Sequence, residues 1–265
     1  MLAEESLHEG NLEESLAQLQ QQVREHPADS KYRVFLFQLL VVMGEWERAM
    51  TQLNVIGEMD AGALAMVQMY REALRCETLR ADVFAGRRSP LVFGEPEQWL
   101  AELIEAFRLS ADGHHGQARE LREQAFDAAP AVSGTLDGVG FQWIADGDSR
   151  LGPVLEAIVN GRYYWVPFSH IRSIKVEEPE DLRDLVWVPA YFTWANEGES
   201  VGLIPTRYAG SENSDNGQIL LSRRTEWIEL DEGTYQGLGQ RLLVTDVDEY
   251  PLLNVREILL DTETQ

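Results

Sequence analysis

Asp146, Asp148 and Arg150 form the most compact group of side chains in this sequence that could carry out acid–base chemistry. Two neighbouring carboxyl groups can divide the general acid and general base roles between them. The same spacing has a structural interpretation, because Asp side chains accept hydrogen bonds from backbone amides two residues further on and so stabilise turns. The sequence favours an exposed turn. The enzymatic alternative requires that Arg207 or Arg241 join the cluster in one pocket.

The other reactive residues lack the partners that catalysis, metal binding or phosphate binding would require. His114 and His115 are adjacent, so they would point to different faces of a helix, and no Cys or third His is near them. Cys76 lies within a helical apolar pattern, where a buried structural thiol is the usual outcome. The glycines between 233 and 239 lie among strand-like segments rather than between a strand and a helix. We therefore expect a protein that is not an enzyme and that has no catalytic residues, metal or cofactor.

The charge of the chain narrows the class of partner further. Among 265 residues, 45 are acidic and 22 are basic, which gives a net charge of −23. Such a surface repels phosphate backbones and anionic lipids, so we expect neither nucleic acid nor a membrane as a partner. No apolar run is long enough for a signal peptide or a membrane span, and a single cysteine excludes an internal disulfide. These features predict a cytoplasmic protein with a binding role, and they leave its oligomeric state open.

Apolar residues recur three and four positions apart through the first half of the chain, which is the pattern of amphipathic helices. Gly44 lies 34 residues after Gly10, and 34 residues is the period of the tetratricopeptide repeat. Pro130 follows Gly113 by 17 residues, as Pro27 follows Gly10. Glycine permits the sharp turn between two packed helices, and proline marks the limit of a unit.

One unit departs from this pattern. Residues 62–86 keep the helical periodicity but lack the glycine and proline landmarks, so we expect an irregular helix pair there. After Pro130 the composition shifts to Gly, Ser and Thr. The helical repeat domain is therefore predicted to comprise residues 1–132.

The second half, residues 133–265, has the composition of a β domain. Asn160 and Gly161 stand between β-branched and aromatic runs, which is the strongest short signal of a two-residue hairpin turn. Seven or eight short strand-like runs occur in this half. The prediction is an α+β fold, in which an all-α tetratricopeptide-like repeat domain precedes a mostly antiparallel β domain that is a curled sheet or barrel-like.

A helical repeat array lines its concave side with one helix of each pair, and exposed side chains on those helices meet the partner. In the register set by the glycines, the side chains expected to line this groove are more apolar than charged: Val34, Gln38, Val41, Gln68, Arg75, Leu103 and Phe107. A groove of this kind suits the apolar face of an amphipathic helix from another protein. The alternative is that these side chains bury against the second half of the chain or against a neighbouring subunit.

Five motifs follow the helical repeats in order: DSRLGPVLEAIVNGRYYWVPFSHIRSI at residues 148–174, then DLRDLVW, IPTRY, RRTEW and GLGQR. With the degenerate repeats before them, they resemble the ImpE family, also called TagJ, of type VI secretion accessory proteins. The resemblance extends over essentially the whole chain. It implies a cytoplasmic, non-enzymatic accessory of the secretion machine.

The resemblance also implies particular partners. Members of this family are associated with the contractile sheath, since they bind the N-terminal helical region of the small sheath subunit, TssB. They have also been linked with handling of the sheath by the ATPase ClpV. A helical ligand agrees with the groove predicted above, and we place it in the helical half as a hypothesis. A general tetratricopeptide-type adaptor or chaperone for another protein is the alternative function.

Overall fold

The computed structural model describes residues 6–7, 9–95, 97–231 and 233–262. Its architecture is α+β, as predicted, because helices come first and a mostly antiparallel β region follows. No helix within these ranges is both long and apolar enough to cross a membrane.

Helices form where the 3.6-residue apolar pattern continues and no proline interrupts it. The helices of the first half whose bounds the structure describes are α1 Leu12–Glu25, α2 Ser30–Val42, α3 Trp46–Met59, α4 Leu64–Phe84, α5 Gln98–Ala111 and α6 His115–Ala128. Helix α2 packs on α3, and α5 packs on α6. Gly44 and Gly113 lie in the turns of these two pairs, with φ of +73° and +83°, a conformation that residues with a side chain rarely adopt. The two glycines therefore mark turns between packed helices, as their spacing predicts.

Residues 62–86 differ from the expectation of an irregular helix pair. They form one 21-residue helix, α4, which follows a short 3-10 helix at Ala61–Ala63. The physical reason is that no glycine or proline lies between Leu64 and Phe84 to end the helix. This long helix packs directly against the sheet of the second half.

The strands of the structure are β1 Leu91–Val92, β2 Gly134–Leu136, β3 Val139–Phe141, β4 Ile144–Asp146, β5 Val154–Val159, β6 Arg162–Pro167, β7 Ile171–Val176, β8 Trp187–Trp194, β9 Glu199–Pro205, β10 Thr225–Asp231, β11 Thr234–Gly239, β12 Leu242–Thr245, β13 Glu249–Pro251 and β14 Glu257–Leu260. A short helix, α7, spans Gly217–Leu220. In the described part of the chain, the large sheet has the strand order β1-β6-β5-β9-β8-β7-β14-β2-β3. Its pairs are antiparallel except for β1 with β6. The sheet is open, so of the two predicted forms the closed barrel is not realised.

The turn at Asn160 and Gly161 is the hairpin turn that the sequence predicts. Both residues have positive φ, +50° and +70°, as a type I′ turn requires. Strands β5 and β6 pair around it, with Ile158 opposite Tyr163. Because α4 packs against β6, this turn sets the register of the surface that meets the helices.

The helical and β halves share a hydrophobic core. One cluster of buried side chains joins Leu39 of α2 to Tyr163 of β6 and Trp187 of β8. A second cluster lies in the β half and includes Val166, Ile174 and other inward-facing strand residues. Strand β1, which precedes the predicted boundary at residue 132, pairs with β6, which follows it. The division into one domain of residues 1–132 and a second of residues 133–265 stays a prediction.

Candidate functional site

The two halves meet along a seam, the contact between helices α2, α4 and α5 and strands β5, β6 and β8. Glu156 of β5 is fully buried at its centre. Arg80 of α4 donates to both carboxylate oxygens of Glu156, from Nε at 2.7 Å and from Nη2 at 2.9 Å. Arg241 also donates to this carboxylate, and the hydroxyl of Tyr163 donates to it at 2.5 Å. Glu156 thus connects a helix, its neighbouring strand and the segment before β12.

Further hydrogen bonds extend from this carboxylate along the seam. Arg80 donates to the carbonyl oxygen of Arg207 at 2.7 Å, and Arg207 donates to the carbonyl oxygen of Val42 at 2.6 Å. Val42 ends α2, so Arg207 satisfies a carbonyl that has no partner within the helix. Trp187 of β8 donates from Nε1 to Glu77 of α4 at 2.7 Å. The network therefore positions α2 and α4 relative to the sheet.

Burial and ion pairing set the ionisation of these groups. Burial opposes the charge on Glu156, but the guanidinium groups of Arg80 and Arg241 outweigh it and lower the pKa of Glu156 to about 2. Burial raises the pKa of Asp146 to about 7, although Arg241 pairs with it. Burial also raises the pKa of the Cys76 thiol to about 12, so almost no nucleophilic thiolate forms at neutral pH.

The group of Asp146, Asp148 and Arg150 forms a turn, but this turn is buried rather than exposed. The backbone amides of Asp148 and Arg150 donate to the carboxylates two residues before them, at 2.8 and 2.9 Å. The predicted exposure is wrong because β11 covers the turn, and the amide of Gly237 donates to Asp148 at 3.1 Å. Arg241 does join Asp146, as the enzymatic alternative requires, but both side chains are fully buried in that ion pair. The pair offers no exposed group to a substrate.

The predicted partner groove is not one continuous surface, because the β half fills its middle. Val41 and Leu103 are 0% and 1% exposed, so the prediction that they face an open groove is wrong. Arg207 lies over the end of α2 beside Val41, and Leu103 packs into the shared core. These two residues follow the alternative, burial against the second half of the chain.

A cleft of about 1030 Å³ opens beside α2 at one end of the seam, and we call it the α2 cleft. It brings together Val34 and Gln38 of the predicted set. Its opposite wall is the segment 179–185, where a capping box between Asp181 and Asp184 starts a short 3-10 helix. Half-buried apolar side chains from both walls line the α2 cleft: Tyr32, Val34, Phe35, Leu182 and Leu185.

The other predicted residues lie elsewhere. Gln68 lines a cleft of about 570 Å³ between α4 and the β5–β6 turn, which we call the α4 cleft. Leu103 and Phe107 line a third cleft of about 210 Å³ together with Arg150. Arg75 is exposed on α4. The structure therefore brings together two pairs of the predicted residues, Val34 with Gln38 and Leu103 with Phe107, and leaves the others apart. Their role in binding a partner stays a prediction.

Comparisons with known proteins identify the family. Residues 138–259 match the family described as ImpE protein. The type VI secretion system accessory component TagJ of Pseudomonas aeruginosa is 54% identical over 258 residues, which are 97% of this chain and 90% of that protein. The chain belongs to the ImpE family. The family expected from the five motifs is confirmed.

A solved structure supports the fold of this ImpE-family chain. The crystal structure of a protein from Vibrio parahaemolyticus superposes with a TM-score of 0.89 at 24% sequence identity. The likeness covers 99% of this chain and 98% of that chain. It therefore includes both the helical half and the β half.

Part of the α2 cleft comes from the β half, which contributed no residue to the groove predicted from the helices. Leu182 and Leu185 belong to DLRDLVW, one of the motifs that resemble the ImpE family. Residues three apart eclipse one another on a 3-10 helix, so both leucines fall on the face toward α2. The spacing of the two leucines was the available signal, but it lies in the half of the chain from which no groove was expected.

Proposed function

We propose that this ImpE-family chain is a non-enzymatic accessory component of a type VI secretion system that binds the helical N-terminus of the small sheath subunit, TssB, in the α2 cleft. The observation that carries the proposal is the apolar lining of this cleft, which includes Val34 from the helical half and Leu182 from the β half. Binding to the sheath places the chain in the cytoplasm. The family's P. aeruginosa member carries the name of a type VI secretion accessory component, which supports the same setting.

The shape of the α2 cleft fits one helix laid along α2. Helix α2 has 13 residues, so at 1.5 Å per residue it offers a wall about 20 Å long. Val34 and Gln38 are four residues apart and share one face of that wall. A ligand helix would place its apolar stripe on this floor, with anchors at spacings of three and four.

The charges at the rim of the α2 cleft favour a ligand with basic flanks. Four acidic side chains line the cleft: Asp29, Asp60, Glu180 and Asp181. Two basic ones accompany them, Lys31 and Arg223. Since the whole chain carries a net charge of −23, we expect Lys or Arg beside the apolar stripe of the bound helix to speed association.

Calorimetry with a synthetic peptide of the TssB N-terminal helix tests the site. The variant V34D/L182D places a charge on each wall of the α2 cleft, and the loss of two apolar anchors is expected to weaken binding at least about 30-fold. The matched control is M69D/V201D, which makes the same chemical change at two exposed residues of the α4 cleft. Circular dichroism establishes that both variants are folded.

Three outcomes contradict the proposal in different ways. Unchanged binding by V34D/L182D excludes the α2 cleft, and a loss of binding in M69D/V201D alone moves the site to the α4 cleft. Similar weak affinity for several unrelated amphipathic helices favours the general adaptor or chaperone instead.

The proposed binding of the sheath helix in the α2 cleft also predicts an effect on ClpV. With purified contracted sheath and ClpV, adding the wild-type chain should change the rate of ATP-dependent sheath disassembly, whereas V34D/L182D should leave it unchanged. An equal effect of both proteins would show that any influence of the chain on ClpV does not depend on the α2 cleft.

A further inference from the structure

The hairpin of β10 and β11 forms a two-stranded ribbon apart from the other sheets. In the described residues, β11 is the only strand that pairs with β10. The other edge of β10 lies open, and its side chains from Trp227 to Leu230 are all exposed. An open strand edge presents backbone N–H and C=O groups that can pair with another chain.

Exposed apolar side chains are concentrated on this ribbon. Trp227 is 41% exposed, Ile228 43%, Leu230 39% and Tyr235 42%. Edge strands are commonly protected by lysine or proline, and the segment Thr225–Asp231 contains neither. A bulge between Glu229 and Asp231 interrupts the pairing, so the regular part of the edge is residues 225–229.

The ribbon is held firmly on its inner side, which leaves β10 presented outward. The ring of Trp227 lies 5.6 Å from that of Tyr208. Gly237 of β11 approaches the same tyrosine so closely that a Cβ there would lie 2.2 Å from its ring. The amide of Ser149 donates to the carbonyl oxygen of Tyr235 at 3.0 Å. A strand that adds to β10 would therefore meet a preorganised edge.

The order of charges on β10 defines the kind of partner. Glu226 and Glu229 flank Trp227 and Ile228, so the edge reads acidic, apolar, apolar, acidic. Antiparallel pairing of two copies, centred between Trp227 and Ile228, would place Glu226 of one copy opposite Glu229 of the other. Like charges directly opposite each other destabilise a strand pair, so this pairing of two copies of the chain is disfavoured.

We propose that β10 is a strand-addition site for an extended segment of a partner protein with the core sequence basic, apolar, apolar, basic. Its backbone pairs with the open edge of Thr225–Glu229, its two basic side chains lie beside Glu226 and Glu229, and its apolar side chains lie beside Trp227 and Ile228. This interaction goes beyond the proposed binding of a helix, and it uses residues outside the α2 cleft.

The probe for this site is an eight-residue capped peptide with a central Lys-Val-Val-Lys flanked by threonines, titrated into the full-length chain. A second peptide with proline in place of both valines has the same charge but cannot form the strand. The chain variant E226K/E229K should weaken binding of the first peptide by about tenfold or more, because two attractive pairs become repulsive.

The variant E197K/E199K is the matched control. It changes the net charge by the same amount as E226K/E229K does. Each variant also removes one glutamate that pairs with a nearby arginine at 3.0 Å: Glu197 pairs with Arg172, and Glu226 pairs with Arg224. We expect the control to bind the first peptide within about twofold of the wild type. Hydrogen exchange should show new protection of the amides of residues 225–229 when this peptide binds.

The proposal is supported if E226K/E229K alone loses affinity for the first peptide and if this peptide protects the β10 amides of the wild-type chain from exchange. Equal losses in both variants, or equal binding of the proline peptide, would overturn it, because attraction would then depend on net charge alone. A dimer of the free chain that E226K/E229K disrupts would also overturn it, since the occupant would be a second copy.

Discussion

Glu156 is the residue on which the contact between helices and sheet depends most directly, and E156Q tests this. The substitution keeps the size of the side chain and removes its negative charge. Arg80 and Arg241 then remain buried beside an uncharged amide, because neither guanidinium group is exposed by more than a few per cent. The variant changes the electrostatics of the seam while leaving its packing in place.

The expected loss of stability is large. Removing one partner from a buried ion pair typically costs about 3–5 kcal/mol, since the remaining charge is left without compensation. Folded domains are stable by only about 5–15 kcal/mol, so E156Q is expected to lose about a fifth or more of the free energy of unfolding. Arg241 keeps Asp146 as a partner, which places the estimate toward the lower end of the range.

Urea unfolding at pH 7.5 measures this loss. Tryptophan fluorescence suits the experiment, because Trp165 and Trp187 are fully buried at the seam and report on its opening. The control is E105Q, in which an exposed glutamate loses its surface pair with Arg108 and the unfolding midpoint should not change measurably. The double variant R80M/E156Q should lose less than the sum of the two single variants, since the two residues contact each other.

A loss below about 1 kcal/mol in E156Q would refute this reasoning. It would mean that water enters the seam, or that the three charged groups do not interact strongly in solution. Additive losses in R80M/E156Q would likewise show that Arg80 and Glu156 are not energetically coupled.

Two further predictions concern pH and the turn between helices. The folded-state pKa of Glu156 is about 2, below its ordinary value of 4.5, so the stability that its charge contributes is present above about pH 4.5 and is lost as the pH falls toward 2. Urea unfolding across this range should show the difference in free energy of unfolding between wild type and E156Q becoming smaller. A constant difference would contradict the ion-pair explanation. G44A is expected to destabilise the chain by about 1–3 kcal/mol, because Gly44 has φ of +73° and a Cβ there would lie 2.6 Å from Cβ of Glu212. The same change at Gly116 of α6 should stabilise by about 0.5–1 kcal/mol, because apart from its chain neighbours and the backbone of its own helix no described atom would lie within 4 Å of the new Cβ. Equal effects of the two substitutions in thermal unfolding would contradict this assignment.

Local sequence patterns predicted the order of the architecture. Helical periodicity and the turn at Gly44 depend on residues within a few positions of each other, and so does the hairpin turn at Asn160 and Gly161. The absence of glycine and proline within Leu64–Phe84 was equally local, and it explains why one long helix replaced the expected pair. The motifs of the second half identified the ImpE family for the same reason, because each is a continuous run of residues.

The candidate site was only partly predictable, because its surfaces depend on residues far apart in the sequence. Periodicity showed that α2 and α5 have apolar faces, but not that Arg207 would reach Val42 across 165 positions and close the groove at Val41. The turn at Asp148 was evident from its spacing, whereas its burial depends on Gly237, 89 positions away. An apolar or acidic residue specifies its own preference for burial or solvent, and the packing of the whole chain decides which element covers it.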